Sequence, residues 1–239
     1  MRFYFIRHGQ SANNALWDAT GKNQGRSVDP ELTEIGHQQA NHLAEFLKQK
    51  DAEEHESGTR FNRDTFGFTH LYTSLMVRSV ATGTYVSKAV GLPLVAWPEV
   101  HECGGIYEDG EDEDERIGLP GYPRSYFEKN YAHLVLPETL TEEGWWNRPF
   151  EAHNLRPLRA QRVLEALLER HGRTDDRVAI VSHGGFYMEF MRVLFGIANR
   201  QSWYTMFNTA ISRIDFRSTG EIALIYHNRT DHLPEKLIT

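Results

Sequence analysis

A single cysteine, Cys103, stands among 239 residues, so no disulfide can form within the chain. One thiol fits a reducing compartment, and a cytoplasmic location is the expectation. Long apolar runs are missing too. None approaches the roughly 18 residues of a membrane span, and the leading stretch at residues 3–6 is too short for a signal-peptide core. Positive charge is in deficit: 26 Lys and Arg against 33 Asp and Glu give a net charge of −7. That balance excludes a non-specific nucleic-acid binder, which needs basic patches against phosphates, but leaves room for a small basic pocket. Neither a nucleic-acid nor a membrane partner is expected. Internal repeats are absent, and the only biased tract is an acidic run at 108–115, with seven carboxylates broken by Gly110.

What is present is the composition of a globular enzyme: 40% apolar, 12% aromatic and 25% charged residues. A chain of this length buries roughly three-quarters of its unfolded surface and needs neither disulfide nor metal to stay folded. Apolar patterning alternates strands with helices. Strands are expected at 3–6, 70–73, 94–96 and 177–181. Helices are expected at 33–50, with Thr33 as N-cap, at 76–90, stopped by Gly91 and Pro93, and at 155–171 and 186–195. Residues 209–216 and 221–227 read as a closing hairpin. Strands separated by helices of this length imply a three-layer α/β/α sandwich with a mostly parallel central sheet. The whole of 1–239 reads as one domain. Residues 104–149, rich in Gly, Pro, aromatics and acids, break the rhythm and read as an inserted cap, while the polar stretch 51–64 reads as a surface loop.

Open parallel sheets bind ligands at the carboxyl ends of their strands. Four such ends carry candidate chemistry: Arg7-His8-Gly9-Gln10-Ser11, Ser74 to Arg78, His101-Glu102-Cys103, and Ser182-His183-Gly184-Gly185. Together they supply two histidines, two arginines and a carboxylate. Paired guanidiniums match phosphate, a neutral imidazole can attack phosphorus, and an acid can protonate the leaving oxygen.

These segments resemble the histidine phosphatase superfamily, the phosphoglycerate-mutase-like group. Residues 7–14, Arg-His-Gly-Gln-Ser-Ala-Asn-Asn, resemble its signature. Leu32-Thr33-Glu34-Ile35-Gly36 with Gln39-Ala40 resembles its Leu-Thr-x-x-Gly-x-x-Gln-Ala helix start. Ser74, Arg78 and Thr82 fit its Ser-x-x-x-Arg-x-x-x-Thr segment, Glu102 stands where it places its acid, and Ser182-His183-Gly184-Gly185 resembles its second histidine motif. The resemblance implies that His8 is the phosphorylated nucleophile, that Arg7, Arg78 and a protonated His183 bind the phosphoryl group, and that Glu102 is proton donor and later base. Asn14 is implied as a further phosphate ligand, and Ser11 and Gly184 are candidate pocket residues. No metal and no cofactor are called for. The expectation is a metal-independent phosphomonoesterase of the histidine acid-phosphatase type, working through phosphohistidine on a small phosphorylated metabolite. The segment at 15–26 departs from that of the cofactor-dependent mutases, which favours hydrolysis over a phosphoglycerate mutase-type phosphotransferase. A catalytically silent binding protein is a third reading, against which all the core residues are kept. A homodimer is left open.

Blander roles were weighed for other residues. Ser182 as a hydrolase nucleophile conflicts with Ile180, where the elbow pattern Gly-x-Ser-x-Gly needs glycine. Tyr122, Tyr126, Phe127, Trp145 and Trp146 either line a substrate pocket or form the cap's small core. His101, His133, His153 and His171 are expected to be solvated or to cap helices.

Overall fold

Strand β1 (Arg2–Arg7) is buried on both faces. Its Phe3 and Phe5 join one apolar cluster and its Tyr4 and Ile6 another, as the two-residue period of a strand requires. The computed structural model describes residues 1–48, 66–112 and 115–239. Among them β1 lies inside a sheet with β2 (His70–Thr73), β3 (Leu94–Ala96), β6 (Leu134–Val135), β7 (Arg177–Ser182), β8 (Ile211–Phe216) and β9 (Ile222–Arg229). A separate ribbon pairs β4 (Tyr107–Asp109) with β5 (Arg116–Gly118). The main order is β6-β3-β2-β7-β1-β8-β9. The first five strands are parallel; β8 and β9 form the antiparallel hairpin that closes the chain.

Among the described residues the α-helices are α1 (Ala12–Thr20), α2 (Glu34–Lys48), α3 (Val77–Val90), α4 (Arg124–Asn130), α5 (Arg156–His171) and α6 (Gly184–Leu194). Leu43 and Leu47 of α2 with Val86 of α3 cover the Tyr4–Ile6 face. Val163 and Leu167 of α5 with Phe186 and Phe190 of α6 cover the other. This is the expected three-layer α/β/α arrangement. Thr33 caps α2 by accepting the Gly36 N–H at 3.0 Å, and α3 ends at Gly91 in the left-handed region. Helix α1 was not legible in the apolar pattern because it buries no residue. A capping box between Ser11 and Asn14 starts it, and left-handed Gly21 ends it.

The stretch 104–149 holds the β4–β5 ribbon, α4 and β6, and β6 pairs with β3 to become an edge of the main sheet. Phe127, Trp145 and Trp146 are buried with Ile106 and Leu140, and Tyr122 stacks on Tyr126 beside them at 3.8 Å. The aromatic group is therefore a small core. The acidic run begins on β4, where Asp109 pairs with Arg116 at 3.1 Å; residues 113 and 114 lie outside the described residues, as do 49–50 and the predicted loop 51–64. Two of the histidines expected to be solvated or cap residues are buried. His101 is enclosed against Trp146, and His171 is held between Tyr72 and Asp176.

Register fixes where the loops emerge. Arg7 is level with Ser182, and Thr73 with Val181 and Ala96. All four candidate segments therefore leave the sheet at one edge. Behind them, buried Arg159 on α5 holds Glu151 through two bonds of 2.6 and 2.8 Å. It also donates to the carbonyls of Glu99 and His101 at 2.8 and 2.9 Å, fixing the loop that carries Glu102. Removing one partner of a buried pair strands the other charge. Arg159→Ala should cost about 3–5 kcal/mol in urea unfolding, and Glu151→Gln with Arg159→Met should restore much of that. A loss below about 1 kcal/mol would show that the pair behaves as an exposed one.

Candidate active site

The four loops converge on a cavity of about 360 Å³ lined by Arg7, His8, Ser11, Asn14, Arg78, Glu102 and Gly184, among others. His8 is oriented by its own loop. Its Nδ1–H donates to the Gly9 carbonyl at 2.6 Å, which leaves the lone pair on Nε2. That Nε2 accepts from Arg78 Nε at 3.1 Å. Burial first, then Arg78 and Arg7, push the His8 pKa well below its ordinary value, so the ring is neutral. An imidazole with a fixed tautomer and an unprotonated Nε2 has a lone pair available to an electrophile.

Each motif has a physical task around this ring. The Gly9 N–H donates to Thr82 Oγ1 at 3.0 Å, and the Gln10 N–H to Gln39 Oε1 at 2.7 Å. Gly36 has no room for a Cβ, which would collide with the Gln10 carbonyl. The Leu-Thr-x-x-Gly-x-x-Gln segment thus clamps the loop that carries His8. Ser74 Oγ lies 2.6 Å and Ser79 Oγ 3.2 Å from His183 Nε2. The His183 and His8 ring centres are 5.1 Å apart.

His183 departs from expectation in charge. Burial, then Arg78, hold its pKa well below the ordinary value, so the expected imidazolium is a neutral ring here. Its Nδ1 is buried without a hydrogen-bond partner. Ser182, the rival nucleophile, is also buried and donates its hydroxyl to the Val100 carbonyl at 2.6 Å.

Arg78 has a partner that the sequence reading missed. Asp29 accepts from Arg78 Nη1 at 3.3 Å and from the Val77 N–H at 3.3 Å. Burial outweighs this attraction and raises the Asp29 pKa to about 6. Asp29 stands three residues ahead of Leu32, with Glu31 between them, and no spacing marks it. Arg7 is held by one bond, Nη1 to the Met206 carbonyl at 2.5 Å, and its Nε is buried without a partner.

Glu102 sits against the N-terminus of α6. Its oxygens accept the N–H groups of Cys103, Phe186 and Gly185 at 2.7, 2.9 and 3.1 Å. A Cβ on Gly185 would stand only 2.5 Å from Glu102 Oε1, so a larger residue here would push the carboxylate out of this position. The same helix end offers positive dipole to an anion beside it. Cys103 next to it is inert, since burial, then Glu102, raise its thiol pKa strongly. Asn14 Oδ1 accepts from the Ser11 N–H at 3.1 Å, Ser11 Oγ at 3.0 Å and Asn208 Nδ2 at 3.3 Å. Ser11 is thereby a helix cap at the cavity wall.

The outer wall was not foreseen. Trp203, Tyr204, Thr205 and Met206 line the cavity, with Trp203 75% exposed. They arrive because β8 runs antiparallel to β1, so the loop preceding Ile211 lies beside Ile6 and Arg7. Arg26 lines the opposite side, donating to the Tyr107 carbonyl at 3.1 Å with its guanidinium 4.0 Å over the Tyr107 ring.

The family model of the histidine phosphatase superfamily (branch 1) matches residues 3–229. The chain belongs to this superfamily. A Yersinia pestis protein named as a probable phosphoglycerate mutase, GpmB, is 25% identical over 232 residues, covering 93% of this chain and 88% of its own length. Among solved structures, an Entamoeba histolytica phosphoserine phosphatase has 20% identity and a TM-score of 0.58, covering 98% of this chain and 99% of that one. A mycobacterial glucosyl-3-phosphoglycerate phosphatase has 17% identity and a TM-score of 0.59, covering 96% and 99%. These likenesses bear out the superfamily fold. No helix among the described residues is long and apolar enough to cross a membrane.

Buried neutral histidines make this superfamily member acid-sensitive. His8, His101 and His183 stay unprotonated in the folded state below the pH at which the unfolded chain takes up protons. Their contribution is present above the unfolded pKa near 6.5 and is lost as pH falls, by up to about 1.4 kcal/mol per pH unit for each ring. Asp29 acts in reverse: with its pKa raised to about 6, it recovers stability as pH falls from there towards its unfolded value. Urea midpoints should drop steeply from pH 7 to pH 5, and His8→Asn should flatten that slope. An unchanged slope would mean that His8 is charged in the folded state.

Proposed function

We propose that the chain is a metal-independent phosphomonoesterase that works through phosphohistidine at His8. The observation that carries this reading is the Nδ1–H of His8 held on the Gly9 carbonyl, with Nε2 aimed at the buried Arg78. His8 Nε2 attacks phosphorus, the N–P bond forms and the P–O bond to the leaving group breaks. Glu102 supplies the proton to the departing oxygen. Water then attacks the phosphohistidine, Glu102 takes its proton, and inorganic phosphate leaves. Arg7, Arg78, the Asn14 amide, the free His183 Nδ1 and the α6 end at Gly184 bind the phosphoryl oxygens as charge spreads over them. Asp29 keeps Arg78 in place.

A cavity of about 360 Å³ suits a small phosphorylated metabolite. Its leaving group would meet Arg26 and Trp203, a cation and an exposed ring. We place the enzyme in the cytoplasm, where the lone Cys103 stays reduced. A second reading, phosphoryl transfer to another hydroxyl, is favoured by the name of the Yersinia relative. The two separate cleanly: with 3-phosphoglycerate, a phosphatase releases phosphate, whereas a mutase yields the 2-isomer.

His8→Ala should lower p-nitrophenyl phosphate turnover by about 10³-fold or more, and quenched wild type should carry acid-labile, alkali-stable phosphate. Retention of more than a few per cent of activity would sink the nucleophile assignment. Activity should persist in excess EDTA, since guanidiniums neutralise the phosphoryl group. Collapse on chelation with rescue by Mn²⁺ or Zn²⁺ would move the reaction to the metal-assisted class. Glu102→Gln should cut alkyl phosphate hydrolysis by about 10²–10³-fold and affect the phosphorylation step with an aryl ester far less. Equal losses on both would make Glu102 a positioning residue.

A further inference from the structure

The amino ends of the same parallel strands carry a second cluster that the reaction does not use. Strand β2 opens on His70, Asp176 directly precedes β7, and His171 closes α5. The catalytic loops leave from the opposite ends of β2 and β7. One ring nitrogen from each histidine and one Asp176 oxygen all lie within 4.8 Å of one another. Asp176 sits between the two rings: Oδ2 is 2.7 Å from His171 Nδ1, and Oδ1 is 3.8 Å from His70 Nδ1. The ring centres are 4.5 Å apart. The His171 side chain is 5% exposed and that of His70 42%, so the cluster opens to solvent on one side.

We propose that His70, His171 and Asp176 form a binding site for a divalent transition-metal ion of the zinc type. Two imidazoles and a carboxylate are donors that such ions accept at about 2.0–2.2 Å, with water in the fourth tetrahedral position. Calcium and magnesium require oxygen ligands and are poorly served by two rings. Donors of a zinc tetrahedron lie about 3.4 Å apart, so the present spacing closes on an ion with small side-chain rotations. His171 Nδ1–H donates to the Asp176 carboxylate at 2.7 Å, and Tyr72 Oη lies 3.0 Å from His171 Nε2. An ion takes the place of the Nδ1 proton, and the ring then donates Nε2–H to Tyr72 Oη. Thr69 Oγ1 lies 2.9 Å from His70 Nδ1, the nitrogen that faces Asp176, and yields that contact to the ion. An oxygen partner on the far nitrogen, as Tyr72 provides, fixes tautomer and orientation at a metal-binding histidine. Occupied, the site would tie β2, α5 and β7 together far from the phosphate pocket, so its role is structural and independent of the reaction proposed above.

The test uses the full chain, stripped with EDTA, exchanged into chelator-free buffer at pH 7.5 and titrated with ZnCl₂. We expect saturable uptake of one ion per chain, a higher thermal midpoint, and visible bands of a four-coordinate site when Co²⁺ replaces Zn²⁺. His70→Ala and Asp176→Asn should each weaken uptake by about tenfold or more. Both variants should keep wild-type far-UV circular dichroism and, if the phosphatase reading holds, wild-type turnover of p-nitrophenyl phosphate. His171 is left intact because it is buried. No saturable uptake, or uptake unchanged in both variants, overturns the proposal; the second result would place the ion elsewhere, the His8 pocket included. A variant that loses its dichroism is replaced by His70→Gln, read in the same way.

Discussion

Burying Arg7 and Arg78 side by side is the constraint around which the rest of the structure is arranged. Each guanidinium loses its water, and burial lowers the pKa of both; Arg78 adds to this at Arg7, and Arg26 adds to it at Arg78. Only Arg78 has a carboxylate at hydrogen-bonding distance, and that carboxylate, Asp29, is itself strained toward protonation by burial. The surrounding groups answer this charge. Both imidazoles stay neutral, the end of α6 is already occupied by Glu102, and Arg7 Nε is kept without a partner. The pocket therefore stores unspent positive potential that a phosphoryl dianion would satisfy, and the protein has met that cost in folding rather than at the moment of reaction.

Because the positive groups cannot move to solvent, the scaffold must hold them from behind. The Arg159–Glu151 pair fixes the loop of Glu102, the Thr82 hydroxyl fixes Gly9, and Gln39 fixes Gln10 while reaching the Leu237 carbonyl at 2.7 Å. Nearly every motif residue that does not touch the cavity is explained by one such bond. Rigid positioning by packed side chains is what makes donors effective toward developing charge.

The sheet and the inner shell were legible because their signals are local. Apolar strands ending in Arg-His-Gly or Ser-His-Gly, and an Arg in the first turn of a helix, announce both the element and the place of the side chain. The outer shell was not legible, for three physical reasons. Helix α1 depends on caps and buries nothing, so periodicity is silent. Asp29 and Arg159 act through partners 49 and 8 residues away, which no spacing rule marks. Trp203 and its neighbours reach the cavity only because β8 reverses direction beside β1, and hydrophobic pattern does not reveal strand direction. The aromatic residues of 104–149 left both roles open for a like reason: composition shows that rings cluster, not whether they face a ligand or one another.

The position of β1 inside the sheet bears on how the chain is made. In synthesis β1 precedes both of its partners, β7 and β8, at residues 177–182 and 211–216. Through most of synthesis its Phe-Tyr-Phe-Ile core therefore has both edges open, the condition in which strands find wrong partners. Contacts of such long sequence separation also slow folding. The loop of His8 at its end is also tied to this late part of the chain, since the Asn208 amide donates to the His8 carbonyl at 2.9 Å. A nascent or truncated chain lacking β8 thus carries the family's motifs in its sequence without the contacts that close the cavity around them.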